Sequence, residues 1–179
     1  MSSLVLPLNE VLQNVLEKNI RVHRNGVYKV KNTAIDDFPM LLHESGFTDK
    51  AGYLKRWRRR CFEGGKGYEH ITAYELVPLF LDSLSTKSVL SELGSRMFVG
   101  QATTRELLAF SVTYPKVVEA LLLEGKVLSA IGRDEFGTNT ATAPILFLEG
   151  SQKTLDHVPL FPGAWSLRHM FLVRSDRSL

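Results

Sequence analysis

Residues 143–149 read APILFLE, an apolar run closed by a glycine. Two runs of the same character lie on either side of it, KVLSAIG at 126–132 and HMFLVR at 169–174. Their aliphatic and β-branched side chains favour strands, and Gly, Pro, Asn and Asp residues separate them. They predict a small, mainly antiparallel sheet in the last third of the chain. The polar stretch 133–142 is then a loop, and LFPGAWS at 160–166 is an aromatic turn that covers the sheet.

The middle of the chain predicts a layer of helices. Thr72 with Glu75, and Thr103 with Glu106, match the capping box, in which both side chains satisfy free N–H groups at a helix start. The first pair predicts a helix from 72 to about 84, and the second predicts a helix through 107–110. A short helix over 86–93 lies between them.

A further helix is predicted to begin at Pro115, because proline suits the first turn, and to end before Gly125. Its core-facing residues would be Val117, Val118, Leu121 and Leu122.

The first third predicts a helix over 8–19, a β-hairpin over 20–31 and a helix over 35–45. Asn25-Gly26 is the dipeptide that a two-residue hairpin turn prefers. In the returning strand Tyr28 and Val30 share one face, and Lys29 and Lys31 share the other.

Length and composition favour a single domain over 1–179. The chain has 179 residues, 44% of them apolar and 23% charged, which is enough to bury a core. The predicted class is α+β: a helix–hairpin–helices N-terminal part, a central helical layer and a small C-terminal sheet. Gly64-Gly65-Lys66-Gly67 is the candidate joint between a basic part at 1–63 and the remainder at 68–179.

Several classes of protein are disfavoured. The lone Cys61 excludes an internal disulfide framework and a cysteine-based zinc site. The N-terminus lacks a basic region before its apolar residues, and no apolar run reaches the ~18–20 residues of a membrane span. We therefore expect a soluble, intracellular and cytoplasmic protein without a membrane span.

The most unusual segment is residues 50–66, KAGYLKRWRRRCFEGGK. It holds seven of the 22 Lys and Arg residues and one acidic residue, Glu63. Thr48 or Asp49 is predicted to cap a helix here, and over 50–62, at about 100° per residue, this helix has one broad apolar side. Arg58 lies at its edge, and the opposite side holds Lys55, Arg56, Arg59 and Arg60. The residues on the apolar side are Ala51, Leu54, Trp57, Cys61 and Phe62.

Such crowded cations repel one another unless an anion lies nearby, and a nucleic-acid backbone is a common polyanionic partner. Guanidinium groups suit phosphate oxygens. Lys66 and the hairpin residues Arg21, Arg24, Lys29 and Lys31 could extend the surface, and a turn at Ser45-Gly46 permits a helix-turn-helix-like arrangement.

The plainer interpretation is a solvated helix face whose arginines pair with Glu63, Glu69 or Asp49. An acidic protein or lipid surface is another candidate partner.

No catalytic, cofactor or metal motif is present in the sequence. The histidines at 23, 43, 70, 157 and 169 lack metal-ligand spacing, and the glycine-rich segment lacks the phosphate-loop pattern. The best enzymatic alternative is a pocket on the C-terminal sheet, where Asp134, Glu135 and His157, with Arg133 and Asp156, could perform acid–base chemistry.

The sequence thus predicts a non-enzymatic nucleic-acid-binding accessory or regulatory protein, for DNA or RNA, with no cofactor and no metal. The alternatives are a small-molecule enzyme or ligand-binding protein and a protein-interaction adaptor. Residues 1–68 carry a net +5 and residues 69–179 a net −2, which favours a homo-oligomer joined through the C-terminal halves. The predicted phosphate contacts are Lys55, Arg56, Arg58, Arg59, Arg60, Lys66, Arg21 and Arg24.

Overall fold

Strands and helices alternate in the first part of the described chain, and the last four described elements are all strands. The computed structural model describes residues 27–32, 38–60, 70–78, 87–89, 91, 100–131, 142–159 and 165–175. The helices are α1 (Phe38–Ser45), α2 (Tyr53–Arg60), α3 (Thr104–Thr113) and α4 (Pro115–Leu123), and residues 87–89 and 91 are also helical. The strands are β1 (Val27–Asn32), β2 (Thr48–Asp49), β3 (His70–Pro78), β4 (Gly100–Gln101), β5 (Val127–Ser129), β6 (Thr142–Glu149), β7 (Gln152–Pro159) and β8 (His169–Arg174).

The strands in these ranges form one mixed sheet of eight strands. Seven follow the order β1-β3-β8-β5-β6-β7-β2, and β4 pairs with the end of β8. Strand β5 runs parallel to β8, and β2 runs parallel to β7, whereas the other pairs are antiparallel.

The predicted α+β arrangement with a small C-terminal sheet is wrong, because the sheet is central. The three apolar runs do form β5, β6 and β8. Strand β8, however, pairs with β3, where Tyr74 lies opposite Arg174, and β3 in turn pairs with β1. These pairings join distant parts of the chain, so no local pattern indicates them. Strand β7, which follows β6 through a turn at Gly150, was not predicted either, because its residues are mostly polar.

Most of the core lies on one face of the sheet, under α1, α3 and α4. Tyr28, Val30 and Tyr74 of the first strands are buried there against Phe110 of α3. The opposite face holds a smaller apolar cluster in which Trp165 is fully buried. The other buried members of that cluster are Val77, Val89, Ile131, Ala143, Phe171 and Val173.

The second capping box and the helix after it are confirmed. Thr103 Oγ1 accepts from the Glu106 N–H, and the Glu106 carboxylate accepts from the Thr103 N–H at 2.8 Å. Pro115 begins α4, which ends before Gly125. The four residues predicted to face the core, Val117, Val118, Leu121 and Leu122, are all buried.

The first capping box, at Thr72 and Glu75, is wrong. Residues 70–78 form β3, which is paired on both sides, by β1 and by β8. Glu75 accepts a hydrogen bond from the Ser175 hydroxyl at 2.6 Å instead of closing a helix start. Ile71, Thr72, Tyr74 and Val77 have side chains that favour strands, and this preference with the two neighbouring strands overrides the local motif.

Several N-terminal predictions are tested in part. Helix α1 confirms the helix over 35–45 from Phe38 onward, with Pro39 in its first turn and Gly46 after its end. In β1, Tyr28 and Val30 are buried and Lys29 and Lys31 are exposed, as predicted. The helix over 8–19, the hairpin turn at 25–26 and the joint at 64–67 lie outside the described residues, as do 133–141 of the loop predicted over 133–142 and the aromatic turn up to residue 164. Thr142, the last residue of the predicted loop, begins β6 instead.

Candidate nucleic-acid interface

The basic helix α2 is attached to the rim of the sheet by the segment that precedes it. Thr48 and Asp49 form β2 and lie opposite Thr154 and Leu155 of β7. The Lys50 N–H donates to the Leu155 carbonyl at 3.0 Å. Because β2 lies between α1 and α2, these two helices do not form a helix-turn-helix unit.

Asp49 stabilises the start of α2. One carboxylate oxygen accepts from the Tyr53 N–H at 2.8 Å, and the other accepts from the Leu54 N–H at 2.7 Å. Gly52 turns the chain between Asp49 and Tyr53 with a φ of 73°, a conformation that other residues rarely adopt. Acidic groups at a helix start also interact favourably with the helix dipole. Asp49 therefore caps the start of α2, as the sequence predicts for Thr48 or Asp49, and its two carboxylate oxygens bind backbone amides.

The apolar side of α2 packs against the core, as the helical wheel predicted for Ala51, Leu54 and Trp57. Tyr53 is the residue that the wheel missed, and it is the most deeply buried, with 3% of its surface exposed. Its spacing of four from Trp57 is the sequence signal that could have identified it. Aromatic and aliphatic contacts thus anchor the helix on the core.

Lys55 and Arg56 differ in their surroundings. Lys55 is exposed, as predicted. Arg56 was predicted to face outward, but it is half-buried, and its guanidinium carbon lies 4.4 Å from the centroid of the Tyr53 ring. Its Nε atom is buried and has no hydrogen-bond partner in the part of the chain that the structure describes.

The other predicted phosphate contacts are described less fully. Residues 58–60 complete α2, but the side chains of Arg58, Arg59 and Arg60 are not described. Lys66, Arg21 and Arg24 lie outside the described residues, as does Cys61.

The structure does not bring Lys29 or Lys31 to the surface of α2, and it pairs Lys50 with an acid. Lys29 and Lys31 alternate with Tyr28 and Val30, so they project from the sheet face opposite the helices. Lys50 Nζ lies 2.7 Å from Glu149 Oε1. The hydrogen bond to this carboxylate raises the pKa of Lys50 and compensates its charge.

The alternative enzymatic site is only partly described. Asp156 and His157 are neighbours in β7, and His157 Nδ1 lies 3.5 Å from Asp156 Oδ1. The same carboxylate oxygen accepts from the His157 N–H at 2.8 Å. His157 is exposed, and Arg133, Asp134 and Glu135 lie outside the described residues.

A buried ion pair lies elsewhere in the molecule and was not predicted. Glu106, with 2% of its surface exposed, accepts from the Tyr74 hydroxyl at 2.5 Å and from Arg174 Nη2 at 2.8 Å. Burial acts to raise the pKa of Glu106, but hydrogen bonds from Arg174, Tyr74 and the Thr103 N–H outweigh it and lower that pKa. Every donor is a fixed neighbour, so the group links α3 to β3 and β8 and has a structural role.

The described ranges contain no group of three or more His, Cys, Asp or Glu residues that could hold a metal ion. None of the helices in those ranges combines the length and the apolar character that a membrane crossing needs. Comparison of the chain with protein-family models, curated proteins and solved structures gave no match.

Proposed function

We propose that this protein binds nucleic acid through the phosphate backbone, using the positively charged side of α2. The observation that carries the proposal is the charge balance of this helix. Its eight residues, YLKRWRRR, include five cations and no acid. Asp49, the acid that precedes the helix, accepts hydrogen bonds from the Tyr53 and Leu54 amides.

The packing of α2 supports a role in binding. Tyr53, Leu54 and Trp57 contact the core, so apolar contacts anchor the helix there. Five cations crowded on a helix without an acid repel one another, and this repulsion lowers stability. A polyanion relieves that repulsion and releases its own counterions on binding, which favours association.

A pair of charge-reversal variants tests the proposal. Lys55 and Arg59 are four residues apart and share a helix face. The variant Lys55→Glu/Arg59→Glu is compared with Lys87→Glu/Lys116→Glu, which reverses two exposed lysines elsewhere. Both variants change the net charge from +3 to −1. Affinity for a labelled mixed-sequence duplex and for a labelled single strand is measured by fluorescence anisotropy.

We expect the α2 variant to lose at least about tenfold in affinity, because two phosphate contacts are lost. The control should lose much less. Equal losses in the two variants would show that net charge, and not α2, drives binding. Displacement of the duplex by poly-glutamate at equal charge concentration would indicate an acidic protein partner instead.

A further inference from the structure

We infer that Arg56 is the ordered phosphate contact of α2 and that Tyr53 is the residue that positions it. The inference rests on the proposed function and deepens it. Arg56 is then a cation held in a fixed orientation, whereas Lys55 supplies charge on an exposed side chain.

Arg56 is held by a residue that is itself fixed. Tyr53 is buried in the core, and the Arg56 guanidinium lies 4.4 Å from the centroid of its ring. The two residues are three apart on one helix, where side chains meet. A guanidinium stacked on an aromatic face is attracted to the ring electrons and loses rotational freedom before any ligand binds.

The stacking leaves a defined set of donors. Arg56 Nε is buried without a hydrogen-bond partner, so binding must use the terminal amino groups. Within the described ranges no carboxylate forms an ion pair with Arg56, whereas Lys50 pairs with Glu149 and Arg174 pairs with Glu106. A planar, uncompensated pair of amino groups suits two oxygens of one phosphate.

Lys55 provides a comparison on the same helix. It is exposed, and its ammonium group sits on a flexible stem that must be immobilised when it binds. The two cations would therefore contribute differently. Each would contact one phosphate and so contribute equally to the salt dependence of binding. Arg56 would contribute more to affinity, because it loses less side-chain entropy on binding than Lys55 does.

Arg56 could instead serve only as a cover for the Tyr53 ring, with its aliphatic stem packed on the core. Substitutions that change charge and shape separately distinguish the two roles. Arg56→Lys keeps the charge and loses the planar group. Arg56→Met keeps an apolar stem and loses the charge.

The experiment measures duplex-DNA affinity by fluorescence anisotropy over a series of salt concentrations. Arg56→Lys should lower affinity about fivefold with the salt slope unchanged, since a single ammonium replaces a bidentate donor. Arg56→Met should also reduce the slope by about 0.9, the value for one lost phosphate contact. Lys55→Met should reduce the slope equally, with a smaller loss of affinity.

Two variants of Tyr53 test its positioning role. Tyr53→Phe keeps the ring and should bind as the wild type does. Tyr53→Leu should reproduce the loss seen in Arg56→Lys, with circular dichroism showing that it is folded. If the leucine variant does not fold, the affinity of Arg56→Lys alone tests whether Arg56 is the ordered phosphate contact.

The inference is overturned if Arg56→Lys binds with wild-type affinity, or if Lys55→Met and Arg56→Met lose equal affinity. That failure differs from failure of the proposed function, in which the wild-type protein itself does not bind nucleic acid at low salt.

Discussion

The Tyr114 hydroxyl donates to the Lys29 carbonyl at 3.0 Å and accepts from the Lys29 N–H at 3.1 Å. Lys29 lies in β1, the outermost of the described strands on that side of the sheet. One side chain thus satisfies both backbone groups that would otherwise be open to another strand. The Tyr114 ring also packs edge-on against Tyr28, with 5.1 Å between ring centroids.

Replacing Tyr114 with phenylalanine should destabilise the protein by about 1 kcal/mol, because two hydrogen bonds are lost and the ring contacts remain. The free energy of unfolding is measured by urea denaturation. Tyr114→Leu should cost more, since it also removes the aromatic contacts with Tyr28 and Phe110. An unfolding free energy for Tyr114→Phe equal to that of the wild type would contradict the role of the hydroxyl.

Glu106→Gln should destabilise the protein by roughly 2–3 kcal/mol. An amide cannot accept all four hydrogen bonds of the carboxylate, and it leaves Arg174 without its counter-charge. This cost is smaller than that of breaking a fully buried ion pair, because the Arg174 side chain is 41% exposed and water screens its charge.

Glu149→Gln is the matched control for Glu106→Gln, since Glu149 pairs with Lys50 at the surface. It should leave the urea midpoint nearly unchanged. Equal effects of the two substitutions would show that burial of the Glu106 pair adds nothing.

The same carboxylate predicts how stability depends on pH. The pKa of Glu106 in the folded protein is lowered from its ordinary value of 4.5. Its contribution is therefore complete above about pH 4.5 and is lost as the pH falls through the folded-state pKa. The difference in unfolding free energy between wild type and Glu106→Gln should be constant near neutral pH and shrink in acid. A difference that grows on acidification would mean that the pKa is raised instead.

Asp49→Ala should cost about 1 kcal/mol, the usual effect of losing a side chain that caps a helix. Thr48→Ala is the control from the same strand, where the Thr48 hydroxyl accepts from Gln152 at an exposed site. Thermal unfolding followed by circular dichroism measures both. Because Asp49 orders the start of α2, its loss should also weaken nucleic-acid binding. An unaltered Tm for Asp49→Ala would show that its two hydrogen bonds to backbone amides are dispensable.

The two capping-box motifs show what local sequence can predict. Thr103 and Glu106 precede LLAF and do begin a helix, whereas Thr72 and Glu75 lie in β3 with the same spacing. The motif indicates only that the free N–H groups at a helix start would find hydrogen-bond partners. The neighbouring segments decide whether the residues of the motif form a helix or a strand. Strand β3 lies between two strands, one from the beginning of the chain and one from its end.

The sheet shows the same limit at a larger scale. The apolar runs of β5, β6 and β8 could be identified because each strand's residues carry the signal themselves. The parallel pairing of β5 with β8, and the position of β3 beside β8, depend on packing between distant segments. The sequence therefore predicted β5, β6 and β8 correctly, missed β3 and β7, and led to the wrong architecture.

The candidate interface, like the sheet, was predicted only in part. Helical periodicity correctly assigned Leu54 and Trp57 to the core side of α2 and Lys55 to the exposed side. It could not show that Arg56 stacks on Tyr53, because an arginine can be directed outward or folded over a neighbouring ring from the same helix position.

The most direct test of phosphate binding by α2 is the salt dependence of wild-type affinity for a mixed-sequence DNA duplex. If the five cations of α2 each contact a phosphate, a plot of log affinity against log salt concentration should be linear with a slope of about −4.5. The slope should decrease in magnitude in Lys55→Glu/Arg59→Glu and stay unchanged in Lys87→Glu/Lys116→Glu. Undetectable binding at low salt, or an affinity that does not change with salt, would contradict the account.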